Sequence, residues 1–285
     1  MPPGEVHKIA QPDVLRFEEM IEVARVATTL GVNKVRITGG EPLVRRGAVR
    51  IVREISSFPG VETVAMTTNG TRLEKYVAVL KEAGLTRLNV SMDTLKPETY
   101  REITRGGDLQ SVLNGIDCAL EYGFPVKINA VLGDWLQPGD VSQFVEFALE
   151  KGVEVRFIEQ MSFKEDKPYL PQDDVIEWIK KRHRVSALQT DKRSSHVRLF
   201  NCDGATLGFI SPRSHPFCSD CNKLRLTPNG QLRACLASTT HVDIRAVLRR
   251  PHTDSDVRRA IQNAAGLKPG VGPWTARSEM WRVGG

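Results

Sequence analysis

Lys34-Val35-Arg36-Ile37-Thr38 runs directly into Gly39-Gly40-Glu41-Pro42, and this short β-rich run closed by a glycine turn decides how the rest of the chain is read. Before it, Phe17, Met20, Ala24, Ala27 and Leu30 recur at helical spacing, and Gly31 stands where that helix should stop. After it the same unit returns. Glu62–Thr67, Arg87–Ser91, Pro125–Val131 and Val153–Glu159 are further β-rich runs. Leu73, Tyr76, Val77 and Leu80 mark a helix between two of them, and Gly84, Gly123 and Gly152 each precede a strand. Strands alternating with helices imply a parallel sheet with right-handed crossovers. The repeat fits a partial or complete (β/α) barrel, or an open doubly wound sheet.

Polar groups gather at the carboxyl ends of these runs: Thr38-Gly39-Gly40-Glu41, Thr67-Thr68-Asn69-Gly70, Ser91-Met92-Asp93 and Glu159-Gln160-Met161. In barrels that rim carries the active site. Paired glycines at 39 and 40 let a ligand approach the backbone, and Glu41 offers a carboxylate to an ammonium group, although an ordinary turn with Pro42 opening a helix has the same sequence. Lys127 and Asn129 lie two apart on one strand and share a face that would otherwise be core. A lysine there is costly without a counter-charge, so an anion is expected beside it. Past residue 165 the repeat dissolves. Asp173–Lys181 reads as one amphipathic helix, Val197–Ser211 as irregular β structure, and Pro228-Asn229-Gly230 as the turn of a hairpin. A basic, partly helical tail follows.

The chain has 285 residues, 40% hydrophobic and 26% charged, enough for one large α/β domain or a barrel with an appendage. The net charge of +6 comes without a long basic run and with 6% aromatics, which favours an anionic small molecule over nucleic acid. No apolar stretch approaches the roughly 18 residues of a membrane helix, and the start lacks a secretory pattern, so a cytoplasmic protein is expected.

Three of the five cysteines cluster: Cys218-Ser219-Asp220-Cys221, then Cys235. Two thiolates three apart chelate a metal from one turn, and the hairpin returns the third. Spacing alone leaves zinc and an iron–sulfur cluster equally open, with His215 or His241 available to close a zinc site. Cys118 lies in a helical apolar pattern and reads as core; Cys202 is ambiguous. Lys223 and Arg225 alternate onto one strand face beside the cysteines, with Arg233 nearby, and Arg45 and Arg46 follow the glycine turn. Guanidinium and ammonium groups so placed suit phosphate.

Taken in order, Gly39-Gly40-Glu41-Pro42, Thr67-Thr68-Asn69-Gly70, Ser91-Met92-Asp93, Lys127-Ile128-Asn129 and Arg156-Phe157-Ile158-Glu159 resemble the radical S-adenosylmethionine (SAM) enzymes. Phe217-Cys218-Ser219-Asp220-Cys221, the basic stretch to Arg225, Cys235 and the terminal Gly284-Gly285 narrow the resemblance to the GTP 3′,8-cyclase family of molybdenum cofactor biosynthesis. It covers nearly the whole chain. The resemblance implies an incomplete radical SAM (β/α) barrel over residues 1–165 and a C-terminal extension over 166–285 that holds a cluster and GTP. Gly39, Gly40, Glu41, Ser91 and Met161 would hold SAM. Arg36, Thr67, Lys127, Lys223, Leu224 and Arg225 would hold GTP. Cys218, Cys221 and Cys235 would bind a 4Fe-4S cluster that meets the guanine, and Gly284-Gly285 would reach back into the site. The implied reaction is a lyase step that turns GTP into (8S)-3′,8-cyclo-7,8-dihydroguanosine 5′-triphosphate. Implied partners are an electron donor such as a flavodoxin or ferredoxin and a downstream cyclic pyranopterin monophosphate synthase, with a homodimer as an allowed assembly.

One element of the family pattern is absent. Its Cys-x3-Cys-x2-Cys loop, which binds the cluster that reduces SAM, occurs nowhere in this sequence, and Met1-Pro2 matches the pair that usually follows it. A second 4Fe-4S cluster is therefore expected only in a longer form that carries this loop. The competing expectation is a module that holds GTP and one cluster without radical chemistry. A zinc-stabilised binding protein is the third.

Overall fold

The strand–helix alternation is realised element by element in a computed structural model, which describes residues 9–161, 170–189 and 197–270. In chain order come α1 (Phe17–Thr28), β1 (Lys34–Ile37), α2 (Ala48–Ser56), β2 (Thr63–Thr68), α3 (Leu73–Glu82) and β3 (Arg87–Ser91). Then follow α4 (Pro97–Thr104), α5 (Leu109–Glu121), β4 (Val126–Leu132), α6 (Pro138–Lys151) and β5 (Glu154–Glu159). Gly152 ends α6 at φ 63°, a left-handed conformation that glycine reaches without a Cβ penalty. The chain forms two compact units. One takes the stretches up to Met66, Val79–Thr86 and from Asn222 on; the other takes Thr67–Ala78 and Arg87–Cys221.

In the first unit β1 pairs with β2 in parallel, Lys34 opposite Thr63 and Ile37 opposite Met66. The C-terminal stretch adds β9 (Arg225–Leu226), β10 (Gln231–Arg233), β11 (Val242–Asp243), α8 (Ile244–Leu248) and α9 (Asp254–Gly266). The three strands form a small antiparallel sheet, with the expected hairpin turning at Gly230. α1 does not stand alone: Leu15, Val23 and Val26 share a core with Leu232, Ile244, Val257 and Ile261. Burying each such side chain contributes about 1.5–3 kcal/mol. Ion pairs rim this core. Arg25 donates two hydrogen bonds to Asp254, at 2.8 and 2.5 Å, and Arg249 reaches the buried Glu19 at 3.1 Å.

In the second unit β3, β4, β5 and β8 (Ala205–Ile210) run in parallel, and β7 (Arg198–Cys202) and β6 (Val185–Leu188) extend the sheet antiparallel. α7 (Gln172–Lys180) matches the helix expected there. The stretch 197–211, expected to be irregular, is instead a regular hairpin of β7 and β8. Asp203 and Gly204 adopt φ 48° and 105° between paired Cys202 and Ala205. An Asp-Gly pair is a strong two-residue hairpin signal because positive φ at both positions matches strand twist. Phe144, Phe157, Phe209 and Phe200 form a ring-to-ring chain at centroid spacings of 5.5–5.7 Å through this unit's core. Among the described residues no helix is long and apolar enough to cross a membrane.

Candidate active site

Parallel register in the second unit stacks polar side chains into rows. Asn89, Lys127 and Glu154 lie opposite one another on β3, β4 and β5; Ser91, Asn129, Arg156 and Gly208 form the next row, reaching β8. Alternation sends Ile128, Ala130, Val155 and Phe157 to the other face, where all are fully buried. The polar face is half-buried rather than solvated.

Glu154 sits between two cations. Lys127 Nζ donates to its Oε2 and Arg156 Nε donates to its Oε1 at 2.5 Å. Burial, reinforced by the Arg156 charge, pulls the Lys127 ammonium below the usual lysine range against the pull of Glu154. For Glu154 burial acts to raise the carboxyl, but the Arg156 and Lys127 charges prevail and hold it below the usual range. The anion expected beside Lys127 is present, and it is a neighbouring strand's carboxylate. Asn129 Oδ1, on the same face, is buried without a hydrogen-bond partner. Leaving such an acceptor unmade costs about 1–3 kcal/mol, which a ligand that donates to it would recover.

The strand ends carry the remaining polar groups of this unit. Thr67 is half-buried at the end of β2, Ser91 is exposed at the end of β3 and Met161 is half-buried just past β5. Asp93 accepts a hydrogen bond from Val131 N at 2.8 Å, and burial raises its carboxyl above the usual range. Glu159, fully buried, accepts from Arg213 N and Ser214 N at 3.0 Å and from Ser214 Oγ at 2.7 Å. It thereby fixes the loop that leads to the first two cysteines. Cys218 and Cys221 close a single 3₁₀ turn in which Cys221 N donates to Cys218 O at 3.2 Å. His215, a candidate fourth zinc ligand, turns Nε2 toward Asp173 Oδ2 at 3.4 Å.

The first unit carries the glycine turn and the basic hairpin. Arg36 is exposed on β1. Gly39, at φ 146°, and Gly40 both border open space, since a Cβ built on either meets nothing within 4 Å. That is the room a ligand needs to approach the backbone. Glu41 accepts from Leu43 N at 3.0 Å and caps the turn that follows. Arg45 is absorbed structurally: it donates to Leu15 O at 2.7 Å and lies 4.3 Å from the Phe17 ring centre. On the hairpin Arg225 lies directly opposite Arg233, a like-charge pair that an anion between them would relieve. Leu224 packs its side chain against the α1–α9 core, which leaves its backbone as the group able to meet a ligand. Lys223 O accepts from Lys268 Nζ at 2.9 Å. Cys235 is half-buried after β10, and the other candidate zinc ligand, His241, bonds Thr239 O at 3.0 Å.

Among the described residues no three His, Cys, Asp or Glu side chains are gathered as a ready metal site. The donor set still suits iron–sulfur chemistry: Cys218, Cys221 and Cys235 are all partly accessible thiols outside any disulfide. Cys202 differs, since burial pushes its thiol up to about 11. Cys118, expected as core, is half-buried on α5. Gly284 and Gly285 lie outside the described residues.

Comparison with known proteins gives the family. A Radical SAM superfamily model matches residues 4–148, and a Molybdenum Cofactor Synthesis C model matches residues 153–271. A GTP 3′,8-cyclase from Alkaliphilus metalliredigens is 38% identical over 275 residues, covering 94% of this chain and 85% of the relative. GTP 3′,8-cyclase 1 of Pseudomonas aeruginosa is 40% identical over 281 residues, covering 95% and 85%. This chain belongs to the GTP 3′,8-cyclase family. The relative from Moorella thermoacetica, 38% identical, spans 100% of this chain and 92% of its own length. A solved structure shares the fold as well. Streptococcus suis SuiB, in a crystal structure with S-adenosylmethionine, matches with a TM-score of 0.64 at 16% identity, over 89% of this chain and 60% of SuiB. The chain is thus an α/β enzyme with an incomplete radical SAM barrel, a lyase-type member of a family that uses SAM and a 4Fe-4S cluster.

Against this background the sequence reading missed Asn89, Glu154 and Gly208. Glu154 had a usable signal: it alternates with Arg156 on a strand whose other face carries the apolar Val155 and Phe157. Gly208 had none, because its role depends on which strand lies beside β5.

Proposed function

We propose that this chain binds GTP and directs its conversion to (8S)-3′,8-cyclo-7,8-dihydroguanosine 5′-triphosphate in molybdenum cofactor biosynthesis. The observation that carries the reading is the half-buried polar face around Lys127, Arg156 and Asn129, in a chain 38–40% identical to GTP 3′,8-cyclases over nearly its full length. Lys127 supplies a charge-assisted bond to phosphate, and Arg225 with Lys223 supplies others from the hairpin. Arg36 and Thr67 complete the GTP set, with the Leu224 backbone. Gly39, Gly40, Glu41, Ser91 and Met161 would hold SAM; Cys218, Cys221 and Cys235 would hold a 4Fe-4S cluster.

In a form that carries the Cys-x3-Cys-x2-Cys loop, SAM and the cluster bound there would supply the radical chemistry. What this chain's own residues contribute is position: the cations of the half-buried face orient the triphosphate. The division into a barrel over 1–165 and an extension over 166–285 belongs to the same proposal. So do a cytoplasmic location, a flavodoxin- or ferredoxin-like electron donor, a cyclic pyranopterin monophosphate synthase downstream, a homodimer, and a terminal Gly284-Gly285 that enters the site.

The test is binding of GTP by anaerobically reconstituted protein, together with its metal content. Micromolar GTP affinity that falls at least tenfold in Lys127→Ala supports the reading. Absence of GTP binding, or one zinc with no iron, overturns it.

A further inference from the structure

Lys127, Glu154 and Arg156 are linked by geometry that the ligand-free protein must satisfy on its own. The two cations come from adjacent strands, Lys127 directly opposite Glu154 and Arg156 two residues beyond it on β5. Each donates to a different oxygen of the same carboxylate. The three side chains are 20%, 15% and 12% exposed, so water screens them poorly. The Arg156 charge also opposes the Lys127 charge. Without Glu154, two like charges would face each other on a half-buried surface.

The carboxylate's two oxygens therefore do what a phosphate does: accept one hydrogen bond from an ammonium and one from a guanidinium. Gly208 lies beside Arg156 and clears space for its stem; a Cβ there would come within 3.1 Å of Arg156 Cγ and 2.7 Å of Val197 Cγ1. Arg156 is thus held by β8 on one side and Glu154 on the other, with the unpartnered Asn129 oxygen opposite in the β4 register.

We propose that Glu154 is a positioning residue of the nucleotide site, an internal anion that holds Lys127 and Arg156 in place while the site is empty and surrenders them to the phosphates on binding. This rests on the GTP reading above. The exchange makes two opposite demands on one residue. Its charge stabilises the empty protein, and the same charge repels the incoming phosphates and competes with them, which lowers affinity. A residue that only supports the fold would show the first effect without the second.

The experiment compares wild type, Glu154→Gln and Glu154→Asp by calorimetric titration with GTP, inorganic tripolyphosphate and guanosine, at neutral pH and low salt, alongside thermal melts. Glu154→Gln is expected to melt lower when empty, yet to bind GTP and tripolyphosphate about five- to tenfold more tightly, as removal of one repelling charge near the surface predicts. Guanosine, which has no phosphate, should show no gain. Glu154→Asp, which keeps the charge, should stay within about twofold of wild type for tripolyphosphate. Unchanged or weaker tripolyphosphate binding by Glu154→Gln overturns the proposal, as does an equal gain for guanosine. If wild type itself binds neither GTP nor tripolyphosphate, the underlying substrate reading has failed, and this one with it. Should Glu154→Gln not fold, Glu154→Asp decides: a loss of tripolyphosphate affinity with the charge retained would also overturn it.

Discussion

The Glu159 carboxylate holds Ser214 twice, accepting its backbone N–H at 3.0 Å and its hydroxyl at 2.7 Å, across 55 residues of sequence. A third bond from Arg213 N completes the grip. Because Glu159 ends β5 and Ser214 lies four residues before Cys218, the core of the second unit fixes the start of the cysteine loop. Glu159→Ala would remove the buried acceptor of two backbone N–H groups and one hydroxyl. We expect it to lower unfolding stability by about 3 kcal/mol, with Glu159→Gln costing less because the amide oxygen still accepts. Urea denaturation of the two variants checks this; equal losses would count against the acceptor role, since glutamine keeps the accepting oxygen and lacks only the charge.

The three clustered cysteines should behave as a set. Cys218→Ala, Cys221→Ala and Cys235→Ala should each at least halve the iron retained after reconstitution, from about four irons per chain. Cys118→Ala should leave it unchanged, since Cys118 sits on α5 away from any thiol pattern. Iron and sulfide assays with the visible absorption spectrum give the answer.

Asp93 predicts a pH effect. Burial raises its folded-state carboxyl above the ordinary aspartate value of 3.8, so its stabilising contribution is complete below that value and is lost as pH rises through the folded one. Asparagine in its place stays neutral and can still accept from Val131 N. Asp93→Asn should therefore match wild type near pH 4 and gain in relative melting temperature toward pH 8. A constant difference across that range would show that Asp93 is not under strain from burial.

Gly208→Ala tests the space beside Arg156. The added methyl would press on Val197 and on the Arg156 stem, at an expected cost of about 1–3 kcal/mol for overpacking. Because the stem is displaced, GTP affinity should fall as well. A shifted urea midpoint with unchanged slope, and weaker GTP binding at temperatures where the variant is folded, is the expected pair of results.

Much of the fold was legible in the sequence because its signals are local. Each of the five early strands falls within two residues of where β-branched runs placed it, and the helices end at the glycines that permit a left-handed turn. The hairpin at Pro228-Asn229-Gly230 forms as its turn chemistry requires. The Asp203-Gly204 hairpin carried an equally local signal, and the reading passed over it. In the candidate site, Lys127, Ser91 and the glycine turn stood out because polar groups or paired glycines interrupt apolar strands and their ends.

By itself, the sequence determined the elements, their order and the residue types able to bind phosphate and metal, all of which depend on neighbours a few positions apart. Tertiary structure alone decided that Glu154 pairs with Lys127 across 27 residues, that Gly208 makes room for Arg156, and that α1 packs with α9 at the far end of the chain. The physical reason is register. Periodicity tells a strand which side chains share a face, but only the hydrogen-bond ladder between strands fixes which residue of a distant segment lies opposite, and a slip of one would turn Glu154 to the other face.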